Sequence, residues 1–130
     1  MGSALFLGID IGTTNSKAVV ISETGEVRGT AERAHGVDSP RPGWMEHDAE
    51  DVWWREVKEL LSLLSESSRV PLKDIAALGI SGIGATLVPI GPAGEVLRPA
   101  ILYGIDTRAW RETEEMEKVL GREDSIEIAG

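Results

Sequence analysis

The sequence predicts an α/β fold, a mixed sheet with flanking helices, in a single domain. Three observations carry this. Short runs rich in β-branched residues alternate with segments of helical spacing, in the order β-β-β-α-β followed by more strand and helix. The length of 130 residues suits one core of moderate size. The composition, 42% hydrophobic and 27% charged, is that of a chain that folds.

The elements follow in order. Residues 4–9 form an apolar run without helical spacing, closed by Asp10 and Gly12, and are expected as a central strand buried on both faces. Residues 16–21 make a second strand, Glu23-Thr24-Gly25-Glu26 a turn, and residues 27–33 a returning antiparallel strand. Ser39-Pro40-Arg41-Pro42-Gly43 is a loop. Asp48 caps a helix whose first turn carries Glu50 and Asp51, where the dipole favours acids. Trp53, Val57, Leu60, Leu61 and Leu64 make its apolar face. After Pro71, residues 75–80 read as a fourth strand. Residues 85–90 and 100–103 read as two more, around Gly91-Pro92-Ala93-Gly94. Asp106 or Thr107 is expected to cap a last helix, with Ala109, Thr113, Met116 and Leu120 on one side and Gly121 as its stop. Arg122 begins a further helical stretch.

Charge and composition exclude several functions. The net charge of −9 argues against a general nucleic-acid surface, which needs Lys and Arg to neutralise phosphates. It leaves room for a nucleotide, whose phosphates backbone N–H groups and a metal can hold. The absence of Cys removes disulfides, thiolate metal sites and a Cys nucleophile. No apolar run approaches the roughly 18 residues of a membrane span, and no signal-peptide pattern opens the chain. Gly2 is not a myristoylation signal, because Phe6 stands where Ser or Thr is needed. The expectation is a cytoplasmic protein with no nucleic-acid or membrane partner.

The stretch Gly8-Ile9-Asp10-Ile11-Gly12-Thr13-Thr14-Asn15-Ser16-Lys17 is the most informative. A carboxylate closing a buried strand is costly unless a cation compensates it, which marks Asp10 as the candidate metal-holding residue. Gly12 lets the chain turn back. Thr13, Thr14 and Asn15 present N–H groups and short donors together, a cradle for phosphate oxygens, and Lys17 adds a positive charge. The competing reading is a tight turn in which Asp10 and the threonines only satisfy backbone.

That ten-residue stretch resembles the first phosphate loop of the actin-like ATPase superfamily, and it lacks the Gly-Lys-Ser/Thr of a Walker loop. Gly-Thr-Thr-Asn-Ser alone is as similar to heat-shock chaperone ATPases as to sugar kinases. Three later stretches are similar to FGGY carbohydrate kinases. They are Pro42 to Asp48 continuing through Asp51-Val52-Trp53-Trp54, Ala77 to Gly82 continuing through Ala85-Thr86-Leu87-Val88, and Arg98 to Tyr103 with Asp106-Thr107-Arg108. Together they span residue 5 to about residue 120 in the family's order.

The resemblance implies a ribonuclease H-like fold and transfer of the γ-phosphoryl group of ATP, with Mg²⁺ at Asp10, to a hydroxyl of a sugar or polyol, xylulokinase-like above all. Gly12, Thr13, Thr14, Asn15 and Lys17 match the phosphate-binding positions. Ile83, Gly84 and Ala85 stand where glycerol-kinase-like members carry an Arg-Glu pair and xylulokinase-like members a Met-His pair, so only main chain is available there. Tyr103 takes the place of a Trp that lies against substrate, and Asp106 follows it. No residue of this chain matches the family's Asp base, which is expected downstream of residue 130 with the adenine pocket. Residues 1–130 are therefore expected to be the N-terminal part of the first, sugar-binding domain, without the C-terminal ATP-binding domain and inactive alone. They are expected to associate with themselves or with the remainder of the chain. The alternatives are a chaperone ATPase piece or a non-catalytic phosphate- or partner-binding module. Trp44 is expected to anchor a loop and His47 to be structural. His35 carries no signal, and Glu112, Glu114, Glu115 and Glu117 form a solvated helix face.

Overall fold

A computed structural model describes residues 4–68 and 70–129. Gly2 lies outside the described residues. The centre is a sheet of four strands: β1 (Leu5–Ile11), β2 (Asn15–Ser22), β3 (Val27–Ala34) and β5 (Ile75–Gly82), in the order β3-β2-β1-β5. The first three are antiparallel neighbours, and β5 lies parallel to β1. Parallel pairing requires a crossover, here the helix between β3 and β5.

That helix opens with a π-helical turn, Ala49–Trp54, and continues as α1 (Arg55–Ser68). Asp48 caps it, its Oδ1 accepting from the N–H groups of Glu50 and Asp51 at 2.9 and 2.8 Å. Leu60 and Leu64 are fully buried on Leu7, Ile9, Ala18 and Val20, with Val57 and Leu61 packed around them. Each such leucine contributes about 1.5–3 kcal/mol. The sheet is covered by α1 on one face only, so β1 alternates: Leu7 and Ile9 are buried, and Asp10 is exposed. The expected burial of β1 on both faces is not met within residues 4–129. On β5, Leu78 and Ile80 are 54% and 63% exposed.

Residues 85–90 differ from the expectation too. They form no strand and make only single bridges, Leu87 to Ile101 and Ile90 to Val96. Pro89 has no N–H to give a ladder. Ala100–Ile101 (β6) does pair, with Glu46–His47 (β4). The last two helices are α2 (Trp110–Leu120) and α3 (Arg122–Ala129). Ala109, not Asp106 or Thr107, takes the cap position of α2, and its methyl offers no side-chain bond; the Asp106 carboxylate is engaged by Met45 and Arg108. Gly121, at φ 83°, stops α2 as expected.

Candidate functional site

Two loops leave the sheet at one edge, since Ile11 at the end of β1 is in register with Gly82 at the end of β5. The first is residues 12–14. Gly12 N–H bonds Asn15 C=O at 2.9 Å, and a Cβ on residue 12 would lie 2.7 Å from that same oxygen, so the turn is open only to glycine. Among the described residues, the N–H groups of Thr13 and Thr14 donate to nothing. Unspent donors at the mouth of a tight turn are what an anion needs.

Asp10 sits one strand-end before this turn, in a row that crosses the whole sheet. It is in register with Ser81 on one side and Lys17 on the other, and Lys17 with Glu32. Ser81 Oγ donates to Asp10 Oδ1 at 2.5 Å, which leaves Oδ2 free on an exposed carboxylate. Asn15 Nδ2 donates to Glu32 Oε1 at 2.7 Å, and Lys17 Nζ lies 3.7 Å from the same oxygen. Lys17 is thus turned along the row towards Glu32 and not over the loop. Its pair is more than half exposed and weakly held. A concavity of about 730 Å³ continues this row across the uncovered face of the sheet, lined by Gly8, Asp10, Lys17, Val19 and Thr30.

The second loop continues β5 through Ile83, Gly84 and Ala85. Ala85 has φ 52°, a left-handed conformation that costs a residue with a Cβ about 1–2 kcal/mol. Thr86 Oγ1 accepts from Tyr103 N–H at 3.3 Å, and Leu87 and Ile101 exchange backbone bonds at 3.1 and 2.9 Å. So the Ile83–Ala85 loop and Tyr103, 66% exposed, lie side by side.

A few residues beyond Tyr103 the chain enters a buried ionic cluster. Asp106 Oδ2 accepts from Met45 N–H at 2.7 Å, and both its oxygens are held by the Arg108 guanidinium at 2.7–3.0 Å. The Arg108 hydrogen bonds, more than the Met45 N–H, hold the Asp106 carboxyl down to about 2 against the opposing effect of burial. Arg108 and Arg98 both donate to Glu46 Oε1, at 2.8 and 2.6 Å, and Arg108 lies 4.0 Å over the Trp44 ring. Trp44 anchors its loop as expected. The Asp106 carboxylate is fully engaged within the chain.

His35 is the residue that sequence reasoning passed over. Its ring is buried under the first loop, with Nδ1 2.9 Å from Glu56 Oε2 and Nε2 3.0 Å from Gly12 O. His47 stacks edge-on against it at 4.9 Å, and His47 Nδ1 accepts from Trp53 Nε1 at 3.0 Å. Burial, and then the charge of His35, lower the His47 pKa from its ordinary value; the Thr13 and Gly36 backbone and Glu56 act the other way.

A family model, the N-terminal domain of the FGGY family of carbohydrate kinases, matches residues 5–130. The chain belongs to the FGGY family. It is 35% identical over 98 residues to the glycerol kinase of Acinetobacter baylyi, covering 75% of this chain and 20% of that protein. It is 38% identical over 101 residues to the xylulose kinase of Escherichia coli, covering 76% and 20%. The crystal structure of a xylulose kinase from Rhodospirillum rubrum superposes with a TM-score of 0.79 at 29% identity, covering 92% of this chain and 24% of that one. The FGGY fold is the actin-like ATPase fold, as the sequence led us to expect, and the chaperone alternative is not favoured. The chain spans about a fifth of the length of the curated relatives it matches. Among the described residues no helix is long and apolar enough to cross a membrane.

Proposed function

We propose that the full-length protein transfers the γ-phosphoryl group of ATP to a hydroxyl of a sugar or polyol, with ketopentoses of the xylulose type first among the substrates. The observation that carries this reading is the common exit of the two loops, one with unspent N–H donors and one beside an exposed aromatic ring, joined by the Ser81–Asp10 bond. Phosphoryl transfer asks for little more than positioning and charge compensation at adjacent sites.

In this reading Gly12, Thr13, Thr14 and Asn15 hold nucleotide phosphates, and Lys17 swings from its weak pair with Glu32 to join them. Asp10 has a free, exposed Oδ2 beside the loop and fits a hydrated Mg²⁺ held by one carboxylate and phosphates. Among the described residues no three acidic or His side chains converge as a full metal cage, and such a shared ion needs none. Bound there, Mg²⁺ supplies charge neutralisation on the transferred group. Tyr103 and the main chain of Ile83, Gly84 and Ala85 form the proposed substrate wall, and Asp106 ties the Tyr103 segment to Met45, its N–H donating to Leu102 O and its carboxylate accepting from Met45 N–H.

Ile83–Ala85 carries neither the Arg-Glu pair of glycerol-kinase-like members nor the Met-His pair of xylulokinase-like members, so this loop does not choose between a sugar and glycerol. The base that takes the hydroxyl proton is assigned to the rest of the protein, and residues 1–130 to the start of the sugar-binding domain. The exposed Leu78 and Ile80 favour cover by that remainder or by a second copy. The test is an ADP-release assay of the full-length protein with pentuloses, hexuloses and small polyols. A sugar-dependent rate supports the reading, and none across the panel defeats it.

A further inference from the structure

His35 grips the phosphate loop at two points. Its backbone N–H donates to Thr14 O at 2.9 Å, and its ring Nε2 lies 3.0 Å from Gly12 O. A carbonyl only accepts, so Nε2 carries a proton. On the far side of the ring, Nδ1 meets the Glu56 carboxylate at 2.9 Å. That contact is attractive only if a proton lies in it, on Nδ1 or on the carboxyl oxygen. The His35–Glu56 contact is therefore a hydrogen bond with one proton in it, and the ring holds a second proton on Nε2. Both side chains are almost wholly buried, at 6% and 4% exposure, where such pairing is what makes a charge tolerable. Among the described residues the other titratable group facing the ring is His47, from β4; Arg33, near the end of β3, is turned to Glu59.

The consequence reaches the site through one peptide plane. The bond between Gly12 and Thr13 is planar and trans, so its C=O and N–H point in opposite directions. With Gly12 O drawn down onto His35, Thr13 N–H is turned up and out, and it is one of the two donors that make no bond within the described residues. The geometry points to His35, clamped by Glu56, as a positioning residue that aims Thr13 N–H at the nucleotide phosphates. This rests on the proposed kinase function.

The experiment uses the full-length protein and reads ATP binding, with Mg²⁺, by titration calorimetry, so it needs no known sugar. The variant is His35→Phe/Glu56→Met, which replaces the buried pair with apolar side chains of similar size, a kind of exchange that folds. Loss of the His35–Gly12 bond is expected to weaken ATP by about tenfold or more. Once a substrate is in hand, KM for the sugar should stay within about twofold, since the bond lost serves the phosphate loop alone. Glu56→Gln is the rescue: its amide can donate to Nδ1 while Nε2–H keeps Gly12, so ATP affinity should remain within about threefold of the parent. A folded double variant that binds ATP like the parent overturns the inference, as does Glu56→Gln losing as much as the double variant. If the parent binds ATP and phosphorylates no sugar, the kinase reading fails while this test still decides His35. A parent that binds no ATP overturns both.

Discussion

Ser81 and Asp10 lie 71 residues apart in sequence and 2.5 Å apart in space, Ser81 Oγ donating to Asp10 Oδ1 where β1 and β5 run out together. The bond fixes the carboxylate at the sheet edge and ties the loop of residues 12–14 to the start of the loop of residues 83–85. Asp10→Asn keeps an oxygen for Ser81 and removes only the charge. Full-length Asp10→Asn is expected to fold normally and to lose about 10²-fold or more in kcat, measured by steady-state kinetics beside circular dichroism. A near-normal kcat would remove Asp10 from the metal-holding role.

The Arg108 cluster gives a stability prediction. Glu46 and Asp106 are buried, and Arg108 serves both. Arg108→Ala leaves two buried carboxylates short of a partner and should cost about 3–5 kcal/mol in urea denaturation. The exposed Arg28–Glu26 pair is the control: Arg28→Ala should cost about 1 kcal/mol or less.

The pH dependence follows in sign from two groups. Asp106 falls from 3.8 to about 2 on folding, so the unfolded chain binds more protons between those values. Its contribution, about 2 kcal/mol, is present above pH 4 and is lost as pH falls towards 2. His47 is also lowered, from 6.5, so its contribution is full above that pH and declines below it. Thermal melts should fall from pH 7 downward. Asp106→Asn should flatten the limb below pH 4 and leave the His47 limb unchanged.

Much of this was legible in sequence, for local reasons. The run of residues 4–9 ending at Asp10, the Asp48 cap and the Leu60/Leu64 face are each written within one element. What was not legible is long-range. The β4–β6 ladder pairs only Glu46–His47 with Ala100–Ile101, too short for a periodicity. Asp106 looked like a helix cap because Asp before a helix usually is one, yet it is occupied by Met45 and Arg108. His35 finds its partners 21 and 23 residues away, and no local pattern announces them.

The two loops carry backbone predictions of opposite sense. Gly12→Ala drives a Cβ into Asn15 O and should abolish ATP binding by the full-length protein, with little change in its circular dichroism. Ala85→Gly relieves a left-handed alanine and should be neutral or stabilising by up to about 1 kcal/mol, where Ala→Gly ordinarily destabilises. Titration calorimetry with ATP checks Gly12→Ala, and a calorimetric melt checks Ala85→Gly.

Full-length protein with ATP and Mg²⁺ should release ADP in the presence of at least one pentulose, hexulose or small polyol. Phosphorus NMR should show the sugar as its phosphate monoester. If no sugar or polyol in the panel responds while unfolded peptide stimulates ATP hydrolysis, the loops serve a chaperone-like ATPase and the kinase account is contradicted.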